Sequence, residues 1–208
     1  MDGNRHLAFL GGIESFPAIR RYGYGFLQGA DYAGKVIGLS QAEVQIDYMY
    51  CGTVDADPIA TKKAEELCKS GVEVLFVCGG ALGRVAMSVA EVYGVKTIGV
   101  DVDQSSESAS VLTSACKNLS LAIYETLSLC EQPSCCGKRH LYDAKKQGIY
   151  LPMDASRFKN FQSNDYEEIM EKLRNGSISV LSEKDQNGKP YHISDLSINH
   201  VFVAQGYK

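Results

Sequence analysis

From residue 6 to about residue 101, short β-rich runs alternate with amphipathic helical stretches, and glycine or Asp-Pro punctuates each change of pattern. No other feature constrains the chain as much. Strands joined by helix-length crossovers pair in parallel, and a parallel sheet must be covered on both faces. The first strand is His6-Leu7-Ala8-Phe9-Leu10, stopped by Gly11-Gly12. A helix is expected from about Phe16 to Tyr32, with Ile19, Tyr22, Phe26 and Ala30 at helical spacing. Gly23, Gly25 and Gly29 lower its propensity and suggest close packing against a neighbour, and Gly34 reads as its end. The second strand is Val44 to Tyr50. Asp57-Pro58 then offers an N-cap followed by a first-turn proline, with Ala60, Ala64, Leu67 and Cys68 as the apolar face and Gly71 as the stop.

Val72 to Cys78 is almost continuously apolar, as befits a strand buried on both faces. Gly79-Gly80 leads into a helix carrying Val85, Val89 and Tyr93 and closed by Gly94, and Val95 to Val100 forms a fourth strand ending at Asp101. The fold class expected is therefore α/β, a doubly wound parallel sheet, over residues 1–113, with residues 114–208 as appended segments. In that second part Val111-Leu112-Thr113 reads as a short strand, followed by a helix through Leu119, Ile123 and Leu127. One or two short strands are expected between Leu141 and Leu151. Asn164-x-x-Glu167 reads as a capping box for a helix through Ile169, Met170 and Leu173 that ends at Gly176. A polar turn over residues 185–190 precedes an apolar run from Ile198 to Ala204.

Composition excludes several classes. The formal net charge is −4 and the basic residues are scattered, so no nucleic-acid footprint is present. No apolar run approaches bilayer length, and the first residues lack the charged and apolar regions of a secretory signal. Seven cysteines leave at least one thiol without an intrachain partner. Cys51, Cys68 and Cys78 sit among apolar neighbours as small buried hydrophobes. Cys130, Cys135, Cys136 and His140 cluster, but without a second matching cysteine pair they read as a thiol-bearing loop, and no metal or cofactor is expected.

In open parallel sheets, ligands bind beyond the carboxyl ends of the strands. Those ends are Gly11-Gly12-Ile13-Glu14, Gly52-Thr53-Val54-Asp55, Gly79-Gly80-Ala81 and Asp101-Val102-Asp103-Gln104. Gly79 and Gly80 permit close backbone approach at a helix N-terminus, and Asp101 can accept hydrogen bonds from hydroxyls. Each feature alone is equally at home in a turn or a cap; their convergence on one edge makes them candidates. No dinucleotide fingerprint, Walker A sequence, nucleophile elbow or zinc-protease motif occurs, and His6, His140, His192 and His200 show no spacing that nominates a base. A binding protein without catalysis is the expectation.

Several ordered blocks resemble the basic membrane protein family of ABC-transporter substrate-binding lipoproteins. They are Phe9-Leu10-Gly11-Gly12-Ile13-Glu14, Gly25-Phe26-Leu27-Gln28-Gly29-Ala30, Asp57-Pro58 and Val77-Cys78-Gly79-Gly80-Ala81-Leu82-Gly83. Ile98-Gly99-Val100-Asp101-Val102-Asp103-Gln104 and Val111-Leu112-Thr113-Ser114-Ala115-Cys116-Lys117 continue the series. The resemblance implies one lobe of a type I periplasmic-binding-protein fold, a purine nucleoside as ligand, an ABC permease as partner, and an extracytoplasmic, lipid-anchored location for the full-length protein. By the family pattern Gly79, Gly80, Asp101 and Lys117 lie on the ribose side of the cleft, with Glu14, Phe16 and Val54 as further ligand-binding candidates. Family members begin with a further lobe ahead of the segment matching His6, so the resemblance implies that this chain lacks the N-terminal lobe. Val54 stands where relatives often carry an aromatic that stacks on the base, with Tyr50 or Phe16 as possible substitutes. Residues 114–155 are then expected to present apolar surface to something outside the lobe, such as a second copy of the chain. A metabolite-sensing regulator on the same fold is the alternative reading, and a nucleoside-processing enzyme a more distant one.

Overall fold

The computed structural model describes residues 5–130, 137–185 and 187–205. Its elements are β1 (His6–Gly11), α1 (Pro17–Val36), β2 (Val44–Tyr50), α2 (Pro58–Lys69), β3 (Val74–Cys78), α3 (Leu82–Tyr93), β4 (Lys96–Asp101), β5 (Val111–Lys117), α4 (Leu119–Cys130), β6 (Ile149–Tyr150), α5 (Ser163–Arg174) and β7 (Val201–Gln205). They build one sheet in the order β6-β5-β4-β3-β1-β2-β7. All neighbours are parallel except the short β5–β6 pair. The doubly wound α/β sheet expected from the strand–helix alternation is what forms.

Strand alternation sorts the core into two layers. Leu7 and Phe9 of β1 face α1, where they meet Ile19, Tyr24 and Leu27, while Ala8 and Leu10 face α2 and α3 among Leu67, Leu82 and Ala86. Successive side chains of a strand point to opposite faces, so one buried strand feeds both layers. The layers differ in chemistry. On the α2/α3 side the alanines Ala60, Ala64, Ala86 and Ala90 are fully buried and let the two helices lie against each other. On the α1 side the ring of Phe9 stacks on Tyr48 at 4.8 Å and meets Tyr50 and Phe76 edge-on.

That aromatic layer explains the glycines of α1, though only in part as expected. A Cβ at Gly23 would stand 2.1 Å from the Tyr48 hydroxyl, and one at Gly11 would stand 2.7 Å from the Tyr50 ring. Gly25 and Gly29 have nothing within 4 Å of that position, so close packing explains neither. Gly34 does not end the helix. It lies inside α1, which runs on to Val36, and a Cβ there would meet His200 at 2.8 Å.

Capping chemistry sets the other ends. The Asp57 side chain accepts from the Ala60 amide at 2.9 Å, and the expected face of Ala60, Ala64, Leu67 and Cys68 is the buried one. Gly94 closes α3 in the left-handed conformation, but the helix is rotated from the expected phase. Leu82, Ala86, Met87 and Ala90 are buried, Val85 and Val89 only partly, and Tyr93 is exposed. Helix α5 begins earlier than the sequence pattern suggested. Its capping box is formed by Gln162 and Asp165, because the Asp165 side chain accepts from the Gln162 amide.

The later part of the chain joins the same sheet. β5 extends to Lys117, past the short strand expected, so the boundary drawn at residue 113 falls inside it. The apolar run near the end supplies β7, which pairs with β2 at the sheet's edge. Asp31 of α1 accepts from the backbone amides of Asn199 and His200, both at 2.6 Å, and Arg21 grips the buried Glu183 through two bonds of 2.7 and 2.6 Å. Helix α1 is thus the post to which the tail is tied.

A Gly23→Ala substitution should destabilise the protein by about 1–3 kcal/mol, because the tyrosine layer cannot yield to the added methyl. Gly25→Ala should instead stabilise it by about 0.5–1 kcal/mol through helix propensity. Urea denaturation of the two variants beside the parent decides the point. Equal effects would mean that the aromatic layer does not press on Gly23.

Candidate functional site

The strand order reverses at β1, with β2 on one side and β3 on the other, so the loops following β1 and β3 part company there. Such a switch point leaves a crevice at the carboxyl edge. Here the two strand ends meet backbone to backbone. Gly12 N–H donates to Cys78 O at 2.8 Å, and a Cβ on Gly79 would lie 3.0 Å from Gly12 Cα. A Cβ on Gly12 would meet a Val54 methyl at 2.7 Å. Gly80, with φ +56°, carries the chain over Val54 into α3. Gly12, Val54, Gly79 and Gly80 therefore converge, as the strand-end reading expected. The first amides of α3 are partly engaged already. Leu82 N–H donates to Val54 O and Gly79 O, and Gly83 N–H to Gly80 O. The helix N-terminus thus serves the neighbouring loop.

The polar centre of the edge lies one and two strands further along. Asp101 ends β4 and Lys117 ends β5; their side chains meet at 2.6 Å and remain 51% and 40% exposed. Asp101 adopts φ +69° and sits at the centre of a three-residue turn closed by Val102 N–H donating to Val100 O at 2.8 Å. A turn of that hand is strained for any residue with a Cβ, although aspartate tolerates it better than most. The strain is held by Gln104. Its side-chain oxygen accepts from Val100 N–H at 2.9 Å, and its own amide donates to Ser114 Oγ at 3.0 Å. Gly99 makes room for this clasp, since a Cβ there would lie 2.5 Å from Gln104 Oε1.

Tyr22, which the helical pattern marked only as a core residue, reaches this centre from α1. Its hydroxyl donates to Asp101 Oδ1 at 3.2 Å, and its ring lies 5.3 Å below the Lys117 ammonium. Burial above all, then the Asp101 charge, pushes the Tyr22 hydroxyl up well beyond the usual phenol range, so it is a donor at any physiological pH. No motif marks a tyrosine in this role; only the structure brings α1 across β3 to β4.

The remaining candidates sit apart from that centre. Glu14 is exposed, its backbone oxygen accepts from Arg20, and its charge is felt by Tyr48 and Tyr50. Phe16 is 48% exposed at the start of α1. Tyr50 has its ring edge-on to Phe9 and its hydroxyl bonded to Tyr48 at 2.9 Å, so it belongs to the aromatic layer.

The thiols divide by burial. Cys51, Cys68, Cys78 and Cys116 are buried free thiols, and burial, reinforced by Asp101, raises Cys78 to about 12. That keeps it protonated and unreactive. Of the thiol loop, Cys135 and Cys136 lie outside the described residues. Among the described residues no group of three His, Cys, Asp or Glu side chains is arranged to hold a metal, and no helix is long and apolar enough to cross a membrane. His6 lies at the opposite edge, where its Nε2 pairs with the buried Asp47 at 3.0 Å.

Residues 4–186 match the family model described as Bmp, ABC transporter substrate-binding protein PnrA-like. The chain belongs to the Bmp family. This Bmp chain is 24% identical over 185 residues to Basic membrane protein D of Borreliella burgdorferi (strain JD1), an alignment covering 86% of this chain and 52% of that protein. Among solved structures it is similar to an ABC transporter solute-binding protein from Aeropyrum pernix K1, with a TM-score of 0.70 and 18% identity over 88% of this chain and 59% of that one. A solute-binding protein from Conexibacter woesei DSM 14684 gives a TM-score of 0.66 at 19% identity, over 86% and 58% of the two chains. A transcriptional activator of the comK gene from Bacillus halodurans gives 0.64 at 18%, over 92% and 60%. The Bmp chain thus spans about half the length of the curated relative it matches.

A Gly99→Ala substitution should expel the Gln104 side chain from its clasp and cost about 1–3 kcal/mol, the range for a buried amide left without its partner. Hydrogen exchange at the Val100 amide reads this directly. Protection there unchanged from the parent would show that Gln104 is not what holds the Asp101 turn.

Proposed function

We propose that this Bmp chain binds a neutral, hydroxyl-bearing small molecule of the purine nucleoside kind and performs no chemistry on it. The observation that carries the reading is the Asp101–Lys117 pair, half-exposed at the carboxyl edge beside the glycine contact. Together the two groups offer an acceptor and a charge-assisted donor at adjacent points, which is what a sugar diol needs. Gly79 and Gly80 would lie beneath the ligand, and Phe16 is the exposed aromatic at the rim that could stack on a base in place of Val54. Cys78, at the end of β3 near these groups, is held protonated by burial and is no activated nucleophile. In the full-length context the role is that of an extracytoplasmic, lipid-anchored receptor delivering its ligand to an ABC permease. A metabolite-sensing regulator is the second reading, favoured by the fold shared with the transcriptional activator.

The same proposal includes self-association. Helix α4 buries none of its residues, and Leu119, Ile123, Tyr124 and Leu127 are 45%, 60%, 72% and 64% exposed. A 12-residue helix with an uncovered apolar stripe is marginal by itself and is stabilised by burying that stripe against another surface.

Calorimetric titration with adenosine, guanosine and inosine tests the ligand. Binding of at least one is expected, with Asp101→Ala weakening it roughly tenfold or more through loss of a charge-assisted bond. Absence of heat with all three would remove the nucleoside assignment. Light scattering tests the association: a mass above that of one chain is expected, falling to one chain in Ile123→Asp, whereas a monomeric parent overturns it.

A further inference from the structure

We infer that Tyr22 is a specificity-determining residue of this edge, its hydroxyl fixing the Asp101 carboxylate in the orientation that accepts from a ligand hydroxyl. The inference rests on the reading that Asp101 faces the ligand.

Three elements meet at one oxygen. Lys117 from β5 and Tyr22 from α1 both place a donor on Oδ1 of Asp101 from β4, at 2.6 and 3.2 Å. Oδ2 is the carboxylate oxygen on which neither donor sits. The backbone of Asp101 is already fixed by its left-handed turn, so what remains free is the rotation of the carboxylate. The lysine alone cannot fix that rotation. It is a flexible point charge, 40% exposed, and an ammonium follows a carboxylate through a wide range of angles. Tyr22 differs because its ring is wedged edge-on against Phe76, with centroids 5.9 Å apart and planes at 86°. A phenol on a held ring delivers its proton from one direction.

The packing role and the hydroxyl role of Tyr22 are separable. A phenylalanine would make the same edge contact with Phe76 and present the same face to the Lys117 ammonium. The hydroxyl is the surplus, and its only acceptors among the described residues are Asp101 Oδ1 and, at 3.4 Å, Ala115 O. Both acceptors belong to the carboxyl-edge strands, so the proton has no partner in the core. With Oδ1 occupied twice and Lys117 neutralising the charge, Oδ2 is the oxygen left to accept from a ligand. A ligand that donates a hydroxyl satisfies it. A ligand lacking that hydroxyl leaves a polar oxygen desolvated and unpaired, the kind of mismatch that discriminates strongly.

The test compares the parent, Tyr22→Phe, Asp101→Asn and the double variant in two measurements. The first uses no ligand: the side-chain carboxyl carbon resonance of Asp101 is followed by NMR in the parent and in Tyr22→Phe. A moved resonance at unchanged thermal stability is expected; an unmoved one overturns the inference. The second titrates adenosine and 2′,3′-dideoxyadenosine. Tyr22→Phe should weaken adenosine roughly three- to tenfold, leave the dideoxy compound unaffected, and have no effect in the Asp101→Asn background. Equal weakening of both compounds, or an effect that survives Asp101→Asn, means that the hydroxyl acts on packing and overturns the inference. If the parent binds neither compound, the nucleoside reading fails by itself, and the carboxyl resonance still decides whether Tyr22 governs Asp101.

Discussion

Everything at the carboxyl edge depends on how closely two backbones approach where the chain's winding changes direction. Gly12 and Gly79 stand so near each other that a methyl on Gly79 would press on Gly12 at 3.0 Å, and one on Gly12 would collide with Val54. The contact is closed by the hydrogen bond from Gly12 to the last residue of β3. The loops after β1 and β3 are pinned this way, so the surface they share is made of peptide groups. The half-exposed Asp101–Lys117 pair lies further along the sheet, at the ends of β4 and β5. The candidate site gathers residues from strand ends, so the sheet register sets their spacing.

The two helical layers support that edge differently. Between α2 and α3 the contact is made by the small residues Ala60, Ala64, Ala86 and Ala90, so the two helices lie close together. Under α1 the packing is aromatic, and the rings of Phe9, Tyr48, Tyr50 and Phe76 form a platform at the β1–β3 side. Tyr22 is the member of that helix that passes the platform and arrives at charged groups. A line of rings thus runs from Phe9 through Phe76 to Tyr22, whose hydroxyl meets the half-exposed Asp101.

Much of this was legible in the sequence where local chemistry and fold agree. Asp57-Pro58 announces α2, Gly94 announces the end of α3, and the unbroken apolar run before Cys78 announces a strand covered on both sides. Gly79, Gly80 and Asp101 could be placed at the carboxyl edge because strand ends converge there in a parallel sheet, whereas Lys117 came from the family pattern alone, since its strand was expected to stop at Thr113. Two of the misreadings share one cause, which is contact between residues distant in sequence. Gly34 looked like a terminator because its neighbour His200 is 166 positions away in the chain, and that pairing leaves no local trace. Tyr22 looked like core for the same reason, since its partner lies on a strand five elements later. The shift of the α5 capping box to Gln162 is a local error, where two overlapping sets of capping residues competed.

The left-handed turn at Asp101 also limits what this position can become. Few residues occupy that conformation without penalty; glycine, asparagine and aspartate are the ones that do so readily. Of those, only aspartate brings a negative charge. Lengthening the acceptor by one methylene, as glutamate would, adds conformational cost at the very spot where reach would be gained. Drift at Asp101 therefore runs along a narrow corridor, from acid to amide to no side chain at all. Changes in what the edge recognises would have to come from the groups around Asp101, on α1 and β5, while the turn itself stays as it is.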